Sequence, residues 1–161
     1  ALLLMDKVSE DRYPKRVMTS FVCQYMLAQT YPDMFDASKT VSVFYENAAS
    51  LEAHHIIPLG TAKKVGEVTA DIRKDPKHIC NSPLNFVLIT KEANKAISDD
   101  ALDIYAKKIT PEAKSALYIT SYVSEDAAST RDKIHSILDN RFEMLNGKVL
   151  HTINDKLMNW R

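Results

Sequence analysis

His54-His55-Ile56-Ile57-Pro58, taken together with Asn81-Ser82-Pro83-Leu84-Asn85-Phe86-Val87-Leu88-Ile89-Thr90-Lys91 and the following Asn94-Lys95-Ala96-Ile97-Ser98, decides how this chain is organised. Residues 52–57 are short, turn apolar at their end and are closed by proline, which reads as a strand. Residues 85–90 read as a second strand. Thr90 caps a helix whose first turn holds Lys91 and Glu92 and which carries Asn94. One strand–loop–strand–helix unit therefore gathers two histidines and two asparagines that lie far apart in sequence. Imidazole both ligates metals and acts as a general base near neutral pH. The asparagines add neutral oxygen acceptors. That combination suits a one-metal site for cutting a phosphodiester.

Outward from this unit the chain reads as helical, with only 3 glycines and little β-branched alternation. Pro14 is placed to open a helix in which Val17, Phe21, Tyr25 and Ala28, with Val22 and Met26, recur at helical spacing; it ends before Tyr31-Pro32. Asp36 or Ser38 is expected to cap a second helix running through Val41, Phe44, Tyr45 and Ala48. Residues 59–82 form a long polar connection, helical in part around 61–73, of a length that usually carries function. Helices are expected over about 99–109, from Pro111, and as one helix or a pair from about 125 to 160. In the last, Ile134, Ile137, Leu138, Phe142 and Leu145 make an apolar stripe. Gly147 is a candidate break, after which Val149, Leu150, Ile153, Leu157 and Trp160 continue it. The fold class is α+β and predominantly helical, with a small ββα unit and a long inter-strand loop embedded in helices.

The 161 residues amount to one domain and suffice for a core. Apolar residues at 45% and charged residues at 26% are ordinary for a globular chain. Twenty-one basic and 21 acidic residues cancel, so any basic surface has to come from local clustering. Cys23 and Cys80 read as reduced thiols of an intracellular protein. No stretch approaches the roughly 20 apolar residues that span a bilayer, and Leu2-Leu3-Leu4-Met5 is too short for a signal sequence. The chain starts at Ala1 and is read as a domain excised from a longer protein, a processed terminus reading the same way.

His54-His55-Ile56-Ile57-Pro58, then Asn85-Phe86-Val87-Leu88, then Asn94-Lys95 resembles the ββα-metal, or HNH, endonuclease family. More narrowly, residues 81–98 are similar to the nuclease domain of modification-dependent restriction enzymes of the GmrSD and SspE kind. Their pattern is E-H-I-x-P followed by N-L-x-L-x-x-x-x-x-N-x-x-I-S. Their C-terminal helix often carries an arginine, apolar residues and a tryptophan; Arg141, Leu145, Ile153 and Trp160 look similar. The resemblance implies one nuclease domain over residues 1–161, with a ββα-metal core at about 52–98 and a helical scaffold at 5–50 and 99–161.

The same resemblance implies roles. His55 would be the general base that activates water, and Asn85 would hold the long loop so that His55 is oriented. His54 and Asn94 would ligate the metal. Lys95 would lie near the cut phosphate, and Lys63, Lys64, Arg73 and Lys74 would contact the DNA backbone. His54 departs from the carboxylate common at its position. Mg²⁺ prefers all-oxygen surroundings, whereas Mn²⁺ and later ions accept imidazole, so Mg²⁺ or Mn²⁺ is expected, with Zn²⁺ or Ni²⁺ admitted. The implied partner is phage or modified DNA. The implied setting is the bacterial cytoplasm, as the effector of a phage-defence enzyme whose N-terminal domain binds nucleotide and senses the modification.

Plainer readings stand beside these. His54-His55 alone fits one core and one surface histidine. Neighbours on a regular strand point to opposite faces, so both serve one site only where the strand end is irregular. Glu52 is a fallback acid or ligand, or a solvated strand-edge charge. His78 and Cys80 beside His54 or His55 hint at zinc, but a structural site wants four ligands. His135 and His151 read as surface residues, and Cys23, Tyr25, Phe44 and Tyr45 as core. The basic residues of 63–77 are balanced by Glu67, Asp71 and Asp75. The rival function is a catalytically inactive HNH-like module that binds DNA or protein.

Overall fold

A computed structural model describes residues 15–42, 51–61, 66–98, 100–120, 125 and 127–158. Helix α1 (Lys15–Gln29) comes first. It buries Met18, Val22 and Met26, which are four residues apart, with Cys23 beside them. Val17, expected on that stripe, is 68% exposed: the buried face is rotated one position onward. Phe21 and Tyr25 flank it, half-buried. The buried face packs on the strand Phe86–Ile89 and on the turn that precedes it.

Val41 does not continue a helix. It pairs with Tyr31 in a small antiparallel hairpin of β1 (Tyr31–Pro32) and β2 (Thr40–Val41). The reason is Asp33, whose Oδ1 accepts hydrogen bonds from the backbone N–H groups of Phe35 at 3.0 Å and Asp36 at 3.2 Å. An acid folding back on its own chain offers a turn in place of a helix. Phe44, Tyr45 and Ala48 lie outside the described residues.

The central unit is β3 (Glu52–His55) paired antiparallel with β4 (Phe86–Ile89), in a register that sets His54 opposite Val87 and His55 opposite Phe86. Ile56 and Ile57 leave the strand and bend into the core. The inter-strand connection holds α2 (Thr69–Lys74), shorter than the helical stretch expected, and two 3-10 turns, Ile79–Asn81 and Pro83–Asn85. Helix α3 (Lys91–Ile97) follows β4 directly. Thr90 caps it, accepting from the Ala93 N–H at 3.2 Å and donating to Asp33 Oδ2 at 2.5 Å. The hairpin acid thereby fixes the start of the helix that carries Asn94.

Two short helices, α4 (Leu102–Tyr105) and α5 (Pro111–Leu117), lead to the long α6 (Thr130–Met158). Thr110 caps α5 ahead of Pro111 at its first position. Gly147 does not break α6. Ile134, Leu138, Phe142 and Leu145 are buried along one face, and of the expected continuation Val149 is buried too, but Leu150, Ile153 and Leu157 are exposed. The helix is roughly 43 Å long at 1.5 Å per residue and outruns the core it packs on. Trp160 lies outside the described residues.

Arg141 on α6 has 0% exposure. Its guanidinium donates to the backbone carbonyl of Leu84, to that of Leu117 at 3.2 Å through Nη2, and to the Met26 sulfur at 3.3 Å. Burial pushes it down to about 10, so it is charged at neutral pH. One cation thus ties α1, α5 and the Pro83–Asn85 turn to α6. No helix among the described residues is long and apolar enough to cross a membrane.

Candidate active site

Strand alternation puts Glu52 and His54 on the face of β3 that meets α3, and His55 on the other. On the first face, His54 Nδ1 lies 3.0 Å from Asn94 Oδ1. The amide nitrogen of Asn94 donates to Glu52 Oε2 at 2.5 Å. An imidazole, an amide and a carboxylate from β3 and α3 therefore form one chain of contacts. The Tyr105 ring stands edge-on to His54, 5.9 Å between centroids. Its hydroxyl donates to the Ile56 carbonyl, which pins the chain just after His55.

On the second face, His55 packs on Phe86 at 4.3 Å between ring centroids. The Arg73 charge opposes its protonation. Burial is the main cause that lowers the basicity of both histidines. For His54 the Asn94 hydrogen bond works against it and the neighbouring His55 with it. For His55 the Asn81 side chain works against it. Nε2 of each histidine is buried without a hydrogen-bond partner. A buried polar atom left unpaired costs about 1–3 kcal/mol, and here two fall on adjacent residues.

Asn85 is fully buried. Its Oδ1 accepts from the Ile57 N–H at 2.7 Å, and its Nδ2 donates to the carbonyls of Ile57 at 3.1 Å and Cys80 at 2.8 Å. Its own carbonyl accepts from the Ile56 N–H at 2.8 Å. One amide closes the inter-strand connection onto the bend that follows His55. Lys95 is exposed on α3 next to Asn94, and Arg73 and Lys74 are exposed at the end of α2. Lys63 and Lys64 lie outside the described residues.

The structure brings together His54 and Asn94, and ties Asn85 to the chain beyond His55. The two histidines stay on opposite faces, because β3 remains regular through His55 and bends only after it. Glu52 joins Asn94. His78 serves the loop: Nδ1 accepts from the Cys80 N–H at 3.2 Å and Nε2 meets Glu67 at 3.1 Å. Together with Glu67, Asp71 and Asp75 it lines an acidic cavity of about 350 Å³ behind α2, whose charge is wrong for phosphate. Sequence reading assigned no role to Asn81, Tyr105 or Asp33: Tyr105 and Asp33 reach Ile56 and Thr90 across the fold, and Asn81 holds backbone carbonyls of its own loop.

No group of three or more His, Cys, Asp or Glu comes together among the described residues. The set His54, Asn94 and Glu52 nevertheless fits a divalent ion. It offers one imidazole nitrogen and two kinds of oxygen, the mixture accepted by Mn²⁺ and its neighbours, with Nδ1 the His54 nitrogen on the Asn94 side.

An antiparallel strand pair leads directly into a helix, and polar side chains of β3 and α3 converge between them. The sequence matches the family model for GmrSD restriction endonucleases, C-terminal domain, over residues 4–141. The chain belongs to that family, whose members are domains of restriction endonucleases. Neither the curated proteins nor the solved structures contain a significant match.

Proposed function

We propose that this chain is a metal-dependent DNA endonuclease domain of the HNH type, nicking DNA by one-metal hydrolysis of the phosphodiester. The observation that carries the reading is the meeting of His54 on β3 with Asn94 on α3 at 3.0 Å, beside a second histidine whose Nε2 is also unpartnered. His54 and Asn94 hold the ion, with the Glu52 carboxylate adjoining. A divalent ion there supplies charge stabilisation to the phosphate and the leaving 3′ oxygen. His55 accepts the proton of the attacking water at Nε2. Its buried imidazole is neutral at neutral pH and so is in the form a base requires. Asn85 keeps the bend after His55 closed. Because the two histidines face opposite sides of β3, a phosphodiester would reach both only around the end of the strand; Lys95 on α3 and Arg73 and Lys74 at the end of α2 are the exposed cations offered to it. Lys63 and Lys64 belong to the same basic stretch.

Membership in a restriction-endonuclease family supports DNA as substrate and, further, a role as effector of a phage-defence system in the bacterial cytoplasm. There a covalently linked nucleotide-binding domain supplies the sensing of modified DNA. The test is cleavage of supercoiled plasmid with EDTA, Mg²⁺ or Mn²⁺. Nicking that requires metal supports the proposal; nicking that persists in EDTA contradicts it.

A further inference from the structure

Tyr105 closes α4 and is fully buried, reaching the site from outside the ββα unit. Its ring stands at 82° to the His54 imidazole, with 5.9 Å between centroids. This is the edge-to-face arrangement that aromatic pairs favour over a face-to-face sandwich. Together with the Asn94 contact at Nδ1, it holds the imidazole in one orientation. The hydroxyl has a separate task. It donates to the Ile56 carbonyl, while the N–H of the same peptide unit, that of Ile57, donates to Asn85 Oδ1 at 2.7 Å. The carbonyl and N–H of a trans peptide point opposite ways, so Tyr105 and Asn85 grip one peptide plane from its two sides. The preceding peptide is held as well, the Ile56 N–H donating to the Asn85 carbonyl at 2.8 Å.

We infer that Tyr105 is a positioning residue that serves both histidines: its ring orients His54, and its hydroxyl fixes the bend just beyond His55. The inference deepens the nuclease reading and rests on it for the roles of the two histidines. A buried tyrosine needs only some acceptor for its hydroxyl, and any carbonyl of the core would serve. Here the two contacts bracket His55 in the chain, His54 before it and Ile56 after it. β3 is regular through His55 and bends at Ile56, so the Ile56–Ile57 peptide sets where the strand ends. A shift of that peptide moves His55 relative to His54, and Tyr105 is the one side chain that touches both ends of this stretch among the contacts described above.

The experiment measures Mn²⁺ affinity by calorimetry and plasmid nicking for the 161-residue parent, Tyr105→Phe and Tyr105→Leu, with circular dichroism to establish that each is folded. Tyr105→Phe keeps the ring and loses the hydroxyl. It is expected to bind Mn²⁺ as the parent does, while kcat falls about 10- to 100-fold with KM unchanged. Tyr105→Leu loses the ring as well, and its Mn²⁺ affinity is expected to weaken about 10-fold. A general packing defect would lower stability without dividing the two readouts in this way. Parental kcat in Tyr105→Phe overturns the inference, and so does Mn²⁺ affinity that is parental in a folded Tyr105→Leu or falls equally in both variants. Should Tyr105→Leu not fold, Tyr105→Phe decides alone: parental Mn²⁺ affinity with reduced kcat supports the inference, and any other result overturns it. A parent that binds Mn²⁺ but does not nick DNA refutes the nuclease reading; weakened binding by Tyr105→Leu then still supports the role of the ring. A parent that binds no Mn²⁺ overturns both.

Discussion

His54 Nδ1 and Asn94 Oδ1 meet at 3.0 Å across 40 residues of sequence. Nothing local brings them together: the strand register, the Thr90 cap and the Asp33 carboxylate behind it all have to be in place first. A structural contact of this kind would be expected to matter for folding. A ligand pair would matter for metal binding. Asn94→Ala should therefore cost about 1 kcal/mol in stability but weaken Mn²⁺ binding by at least ~10-fold, read by calorimetry. Equal Mn²⁺ affinity in parent and variant would remove Asn94 from the ligand set.

Asn85→Ala removes an acceptor and two donors from a fully buried site. The Ile57 and Cys80 backbone groups it leaves unpaired should cost roughly 3 kcal/mol in all, measured by urea unfolding. Asn85→Asp should be no rescue, because a carboxylate cannot donate to the Ile57 and Cys80 carbonyls. A wild-type midpoint for either variant would show that the loop closes by other means.

Arg141 is a buried cation whose donors end on carbonyls and a thioether. Truncation to alanine strips the carbonyls of Leu84 and Leu117 and opens a cavity, with an expected loss of about 3–5 kcal/mol. Lysine has no planar fork and should recover only part of it. Urea unfolding of the two variants checks the order; a lysine variant as stable as the parent would mean that charge, not geometry, is what the site needs.

Burial holds the Cys80 thiol up at about 11 and raises that of Cys23. Both should resist disulfide reagents at neutral pH in the folded protein and react on unfolding. The sign follows from linkage: the unfolded chain releases these protons at lower pH than the folded one. The stability they contribute is complete below about 9 and is lost as pH rises toward the folded values. Burial raises Tyr31 and Tyr105 in the same direction. Rapid native thiol labelling, or stability rising above that pH, would contradict this.

The metal preference follows from His54 standing where a carboxylate is usual in the pattern. Initial nicking rates in Mn²⁺ should at least equal those in Mg²⁺. A strong preference for Mg²⁺ would mean that Glu52, not His54, dominates the coordination.

Much of this was legible in the sequence because its signals are local. The proline closing residues 52–57, the Thr90 cap, Pro111 as a helix start and the spacing from Asn85 to Asn94 are short-range features, and each marks an element where the structure has one. The hairpin at Val41 was not legible, since Asp33 folds back on its own backbone just ahead of Asp36 and Ser38, where a helix cap was expected. Nor was the end of the α6 stripe: apolar spacing continues through Leu157, and only the size of the core decides where burial stops. Asn81 and Tyr105 act through backbone carbonyls, which carry no sequence identity. Their importance could not be read from the residues they hold.

The most direct test of the account is one preparation of His55→Ala with two readouts, Mn²⁺ binding and plasmid nicking. Separate roles for the adjacent histidines predict unchanged Mn²⁺ affinity and a loss of nicking of about 10²- to 10⁴-fold. Nicking at the parental rate would contradict the account, and so would Mn²⁺ affinity that falls together with activity.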